Sequence, residues 1–429
     1  MNTNDEKIIK ANKRNINLFK FYQMFSKDLL FYYAISFLFL TQEKGLNASQ
    51  ILFVETFYPV SKILVQFFAT SIIDKTRKKT SIIWGNIFIA LFFIFMIIAP
   101  NIYFCILSNF FLALGFAFKE VTESTFIFDF IIDTPAKKRS IYAKTFGKSS
   151  AYYLAFYSIS CIVSGLLFAI NPYLPLFCGL FVTILAIIIS LFFKEPKASQ
   201  LMEKDKHKKE KSYLKELKAS FSYILNSHRL KLLLLFNALF YSFMSIGSIY
   251  RTTILEHLNF SSEYTGFLCA LFACIAAYTC KKSHNIHNNL KNTTLTYLSL
   301  GYCLTTIVIS AFIYFAIPEF FVYFIVLVMM SLQAVLEGPY DPLINQYLSN
   351  FTTSRIRTKI YTIRSLSCEG VYAIITFLSS LFLNFFSLPI SLVLIGSIFT
   401  ISFVILLAKM QTKVGLQPEQ YEESEIYVK

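Results

Sequence analysis

"SIIWGNIFIALFFIFMIIAP" runs from Ser81 to Pro100 without a single charged side chain. Wound as a helix at about 1.5 Å per residue, such a stretch covers the ~30 Å hydrocarbon core of a bilayer. A soluble core helix has no use for that length of unbroken apolar chain, so the stretch decides the class. The rest of the 429-residue chain agrees, being 55% hydrophobic, 17% aromatic and only 15% charged, where a soluble domain is about a quarter charged. Comparable apolar blocks lie at 21–41, 51–73, 80–99, 103–131, 149–170, 174–193, 232–254, 263–280, 294–317, 320–346, 362–385 and 388–408. The reading is an all-α integral membrane protein with twelve transmembrane helices. The first block is not read as a signal peptide: it holds Lys27 and Asp28, runs past Thr41 and precedes no small-residue cleavage site.

Lys and Arg placement sets the orientation. With the N-terminus cytoplasmic, 36 of the 40 Lys and Arg fall in inner segments, and the outer loops keep only Lys44. Lys62, Lys119 and Arg251 lie inside spans. Both termini are therefore expected in the cytoplasm, with the chain in a cell membrane of the bacterial plasma-membrane type. The net charge of +15 then reflects orientation and attraction to anionic lipid. It is spread over separate inner segments and forms no single basic face, so nucleic acid is excluded as a partner. The eight Cys sit in or at the ends of spans with no Cys/His ligand spacing, so neither disulfide nor zinc is implied.

One long polar stretch, 194–231, divides the chain. Its second part, "YLKELKASFSYIL" (213–225), has apolar residues at helical spacing with basic residues opposite, which reads as an amphipathic helix on the inner membrane surface. A plain solvated linker is the competing reading for its first part. The division gives an N-terminal six-helix bundle at 1–193, a cytoplasmic linker at 194–231, a C-terminal six-helix bundle at 232–408 and a cytoplasmic tail at 409–429. The inner ends of spans four and ten share an aromatic–Asp pair, a basic loop and an Arg-Ser/Thr step, as pseudo-symmetric halves would.

After span two stands "TSIIDKTRKKTSI" (70–82). It resembles the loop 2–3 signature of the major facilitator superfamily, Gly-x-x-x-Asp-Arg/Lys-x-Gly-Arg/Lys-Arg/Lys. Asp74, Lys75, Lys78 and Lys79 match, while Thr70 and Arg77 replace the two glycines. "KGLNASQ" (44–50), "FKEP" (193–196) and the division into halves agree. "VTESTFIFD" (121–129) is similar to the SGxxEAxxYD of bacterial drug-exporter-like members, without its Ser-Gly. The resemblance implies alternating access, with spans one, four, seven and ten around a central cavity. Asp74 ends a helix, where the macrodipole disfavours an anion. Its own loop offers Arg77 and Lys78 as partners, and Arg357 or Arg364 further on are alternatives; with Lys75 and Lys79 these make up a candidate inner gate, and a positive-inside loop alone is the plainer reading.

Span four carries Lys119, Glu120 and Glu123 near its middle. Each such charge costs about 2.5–3.5 kcal/mol even on lenient insertion scales. Lys119 and Glu123 are four apart and can pair, leaving one net negative charge. Span ten offers Glu337 and Asp341, also four apart, bracketed by Gly338, Pro339 and Pro342, where an irregular backbone is expected. Span seven adds Arg251, placed either in the site or snorkelling to the outer interface. Lys62 and Glu55 are read as ordinary structural partners of other helices. Four carboxylates set against one lysine would keep at least one proton near neutral pH, and the resemblance places the span-four and span-ten clusters opposite each other. Lys119, Glu120, Glu123, Arg251, Glu337 and Asp341 are thus the candidate substrate and proton residues. A self-satisfied charge cluster that fixes helix rotation is the alternative.

No phosphate-binding glycine loop and no catalytic constellation appears, so the chain is not read as an enzyme, and no cofactor or metal is implied. The expectation is a monomeric secondary transporter of a small molecule, in contact with lipid and coupled to protons. Efflux of amphipathic compounds by antiport is the first reading. Carriage of a polar or anionic metabolite, clamped by Lys119 and Arg251, is the second, and a non-transporting receptor or scaffold is the third.

Overall fold

The computed structural model describes residues 3–130, 135–194, 227–290, 293–315, 319–350 and 357–413. Among them there are fifteen helices and no strand. The first seven are α1 (Thr3–Ser26), α2 (Ser36–Gln42), α3 (Ala48–Lys75), α4 (Lys78–Ile98), α5 (Ile102–Phe130), α6 (Pro135–Ile170) and α7 (Leu174–Leu191). The other eight are α8 (His228–His257), α9 (Ser262–Lys281), α10 (Ser283–Leu290), α11 (Thr294–Tyr314), α12 (Glu319–Glu337), α13 (Tyr340–Asn350), α14 (Arg357–Phe385) and α15 (Leu388–Lys413). Ten described helical stretches are long and apolar enough to cross a membrane. The amphipathic segment expected at 213–225 lies outside the described residues.

The chain divides into two compact units. One comprises Met1–Leu46, Phe57–Lys211 and Ser261–Ala270; the other comprises Asn47–Thr56, Ser212–Phe260 and Leu271–Lys429. Large apolar side chains point outward in both, with Phe181 61% and Leu304 63% exposed. Helices apolar all round suit a lipid surround, where burial of apolar surface no longer separates inside from outside.

Small residues and polar contacts take over as the packing determinants. In the first unit α4 lies along α5 and α7. A Cβ on Gly85 would come within 3.0 Å of the Gly115 carbonyl, and one on Gly115 within 2.9 Å of the Gly85 carbonyl. The two glycines let these backbones touch. Phe19, Tyr22, Phe126 and Phe193 pack into an aromatic core within the unit. Local signals place the helix starts: Pro135 opens α6, where its missing N–H costs nothing. At α8 the Ser227 hydroxyl accepts from Leu230 N at 3.5 Å.

Two expectations from the sequence change. The apolar block at 21–41 is not one helix: α1 ends at Ser26, residues 27–35 form turns, and α2 resumes at Ser36. Phe31 in this break has φ 65°, a left-handed conformation that a bulky side chain seldom adopts. The basic segment expected as a loop after span four is helical from Pro135 onward. The irregularity expected around Gly338 is present: α12 stops at Glu337 and α13 starts at Tyr340. Gly338 fits there because a Cβ would collide with the Ala276 carbonyl and Thr279 of α9.

Candidate functional site: two intramembrane charge clusters

The first unit buries a hydrogen-bonded circuit where α1 ends. The side chain of Lys119, 2% exposed, donates to the Ser26 carbonyl at the last residue of α1. Ser26 Oγ donates to Asn86 Oδ1 at 2.7 Å. Asn86 Nδ2 donates to the Tyr22 hydroxyl at 2.8 Å, which donates in turn to Glu123 Oε1 at 2.6 Å. Gln23 Nε2 donates to the other Glu123 oxygen at 2.5 Å. Glu123 and Lys119 stand 4.0 Å apart. The expected i,i+4 pair exists, but the short contacts of Glu123 go to α1. Lys119 also lies over the Phe116 ring, 5.3 Å from its centroid.

Glu120 turns away from this circuit. Its Oε1 lies 2.8 Å from Lys62 Nζ of α3, the lysine side chain 6% exposed and the glutamate 48%. Lys62 is therefore a member of the cluster, which sequence reasoning set aside. It also changes the charge count, since Lys62 joins Lys119 as a second base beside Glu120 and Glu123.

In the second unit Arg251 Nη2 of α8 reaches Glu337 Oε1 at 2.6 Å, and the Tyr302 hydroxyl of α11 donates to the same oxygen at 3.0 Å. Arg251 is 11% exposed at its side chain and stacks over Phe272 at 5.3 Å, so it does not snorkel. Gly247, one turn earlier on α8, leaves room for the Tyr302 hydroxyl, which a Cβ there would strike. Beside Arg251 lies a cavity of about 20 Å³ bordered by Tyr250, Thr306 and Gln333, room for a single water.

Asp341 goes elsewhere. Although it is four residues from Glu337, the helix break sends it to Arg364 of α14, Nη2 to Oδ1 at 3.2 Å. The remaining guanidinium donors reach Asn345 Oδ1 at 2.7 Å and Asn237 Oδ1 at 3.2 Å. Tyr340 donates to the same Asn237 oxygen at 2.6 Å. Arg364, one of the alternative partners offered for Asp74, is bonded by α13 and α8. Its side chain is 15% exposed against 72% for Asp341. Four carboxylates therefore meet Lys62, Lys119, Arg251 and Arg364. The four carboxylates thus face four bases and not a single lysine.

The loop signature is described in part. Asp74, Lys75 and Arg357 lie on described helices, but their side chains are outside the described set, so the Asp74 pairing is too. Arg77 is exposed and Lys78 half-buried. Lys79 Nζ donates to the Leu191 carbonyl at 2.6 Å, placing a cation on the C-terminus of α7. Among the described residues no group of His, Cys, Asp and Glu could hold a metal ion.

Sequence reasoning also passed over Tyr22, Gln23, Asn86, Asn237 and Tyr302. Asn86 and Asn237 had a usable signal: each is an amide inside an otherwise apolar run, "IIWGNIFIA" and "LLLLFNALF", where an unpaired polar group is costly. Tyr22 and Tyr302 had none, being indistinguishable from the chain's other 24 tyrosines, of its total of 26.

No curated protein matches the chain in sequence. Solved structures share its fold at low identity. A POT family transporter in complex with a thioalcohol-conjugated peptide is 12% identical with a TM-score of 0.71, the match covering 93% of this chain and 96% of that one. A D-xylose–proton symporter is 10% identical with a TM-score of 0.71, covering 96% and 98%. A variant of the nucleoside transporter NupG is 11% identical with a TM-score of 0.70, covering 93% and 99%. At that identity the likeness speaks for the fold alone. The family model of the Major Facilitator Superfamily matches residues 21–331. That stretch takes in the loop signature, the charged span four and the break after Ser26, and it ends six residues before Glu337. With a polytopic helical fold around paired intramembrane charges, the chain belongs to the major facilitator superfamily.

Proposed function

We propose that this protein is a proton-coupled secondary transporter that expels amphipathic, cationic small molecules by alternating access. In this reading it is a monomer in a bacterial plasma membrane with both termini in the cytoplasm. Its twelve spans form two six-helix bundles, 1–193 and 232–408, joined by the linker 194–231, and Asp74 with its basic neighbours serves the inner gate. The observation that carries the coupling is an asymmetry repeated in both units. Glu120 and Asp341 keep 48% and 72% of their side chains exposed, while their bases Lys62 and Arg364 keep 6% and 15%. The acid is then the partner that a proton or a cationic solute reaches, and the buried base holds it in place. Within the second unit, Glu337 and Arg251 form a less accessible pair, 17% and 11% exposed at their side chains.

A second reading, carriage of a polar or anionic metabolite, draws on Arg251: a guanidinium with Tyr302 beside it can bind a carboxylate in place of Glu337. The two readings differ in the sign of coupling. Proton movement is followed in proteoliposomes on adding a hydrophobic cation or an organic anion, in wild type, Glu120→Gln and Asp341→Asn. Proton release on cation addition, lost in either variant, is the expected result. Uptake of protons with the anion favours the second reading. Wild-type coupling in both variants removes these acids from the mechanism.

A further inference from the structure

Lys119 and Glu123 reach the same short piece of chain, the last turn of α1. Lys119 donates to the Ser26 carbonyl. Glu123 takes the Tyr22 hydroxyl and the Gln23 amide. Asn86 ties Ser26 to Tyr22. Directly after Ser26 the first span breaks for nine residues, 27–35. One side of the broken segment is packed in protein: Leu29, Leu30, Tyr32 and Ile35 are at most 3% exposed, while Lys27 and Tyr33 on the other side are exposed.

A buried helix end at membrane depth leaves carbonyls that lipid cannot satisfy. It also gathers the negative end of the macrodipole. A buried ammonium at the last carbonyl answers both. Two glycines make the arrangement possible. A Cβ on Gly85 would come within 2.5 Å of Lys119 Cγ, so the lysine stem fills the space that this glycine leaves. A Cβ on Gly179 of α7 would stand 3.1 Å from the Leu30 carbonyl, so the break packs where that helix has no side chain. Phe31 at φ 65° marks a conformation that its surroundings impose.

We propose that Lys119 and Glu123 are positioning residues: they latch the discontinuous first span at Ser26 and keep the 27–35 break closed against α4, α5 and α7. The intramembrane charge of span four is divided between two tasks, with Glu120 and Lys62 turned toward exchange and Lys119 and Glu123 toward the break. This rests on the carrier reading only for what the break serves. The latch itself is measurable without transport.

The test is hydrogen–deuterium exchange of the purified full chain in lipid nanodiscs, read over 27–35 and over α4, in wild type, Lys119→Met, Gly85→Ala and Glu120→Gln. Lys119→Met is expected to speed exchange in 27–35 about tenfold or more while α4 stays protected. Gly85→Ala removes no charge but pushes on the lysine stem, and is expected to open the same segment. Glu120→Gln, which tests coupling and not the latch, is expected to leave 27–35 as in wild type. If Lys119→Met exchanges like wild type over 27–35, the latch is wrong, and loss of solute binding in that variant would make Lys119 a solute contact instead. Should Lys119→Met fail to fold, Gly85→Ala decides alone: opening of 27–35 supports the latch, and wild-type protection there overturns it.

Discussion

The two charge clusters join charge to a break in the helix, but with the parts exchanged. In the first unit the charged helix, α5, is continuous over 29 residues, and its neighbour is the broken one, between α1 and α2. In the second unit the charged helix itself breaks, between α12 and α13, and the helices that answer it, α8 and α14, run unbroken over 30 and 29 residues. Helix polarity accounts for the pairing in each. Lys119 brings a cation to the C-terminus of α1, where the macrodipole welcomes it. Glu337 is an anion at the C-terminus of α12, where the macrodipole opposes it, and it is held by Arg251 and Tyr302. Asp341 begins α13, where an anion is favoured, and it can afford 72% exposure.

The sharpest way to break this comparison is to remove Arg251. Arg251→Ala would leave Glu337 half-buried, at the unfavourable end of α12, with only the tyrosine hydroxyl on that oxygen. Loss of one partner of a fully buried ion pair costs about 3–5 kcal/mol; with side chains 11% and 17% exposed, this pair should lose the lower end of that, read as a marked fall in the thermal midpoint of the detergent-purified protein. The double variant Arg251→Leu with Glu337→Leu should recover much of it, because no charge is left stranded. A single variant as stable as wild type would mean that Glu337 gives up its charge at no cost.

The next contrast lies within one pair. Glu120→Gln leaves the buried ammonium of Lys62 without its carboxylate, whereas Lys62→Met leaves a carboxylate already in contact with solvent. Glu120→Gln should therefore destabilise by about 1–3 kcal/mol and Lys62→Met by less, both read from thermal unfolding. The reverse order would show that Lys62, not Glu120, is the partner that solvent reaches.

These contrasts also show what the sequence could and could not convey. Membrane class was legible from one stretch, because a charge-free run such as Ser81–Pro100 has few other uses. The Gly338–Pro339 break was legible, since those residues interrupt any helix. The break after Ser26 was not: "SKDLLFYYAIS" (26–36) contains neither Gly nor Pro, and the side chains that bond the helix end before it, Asn86, Lys119 and Glu123, lie about 60 to 100 residues away. Charge clusters were legible as positions but not as pairs. The i,i+4 rule paired Lys119 with Glu123 and set Glu337 and Asp341 on one face, yet the short contacts run between helices. Tertiary geometry outweighs helical spacing wherever a partner on another helix offers a better-directed hydrogen bond.

The smallest effect is expected at Lys44, in the short connection between α2 and α3. Its Nζ donates to the carbonyls of Ile97 and Ala99, each at 3.0 Å, and lies 5.2 and 5.3 Å from the rings of Phe39 and Tyr173. This is again a cation at a helix C-terminus, that of α4, but here water can take over. Lys44→Met should cost only about 1 kcal/mol. The pH dependence gives the finer test. Burial lowers the Lys44 pKa below the ordinary lysine value of 10.5, so between the folded value and 10.5 the unfolded chain binds more proton than the folded one. Stability contributed by this group therefore rises as pH climbs through that window. The wild-type advantage over Lys44→Met, measured as the difference in unfolding midpoint, should widen from neutral pH toward 10.5. A narrowing advantage would mean that the two carbonyls and the α4 dipole outweigh desolvation and hold the ammonium charged. Lys44 would then resemble Lys119 at the end of α1, and the contrast between a helix end facing water and one enclosed by protein would fall.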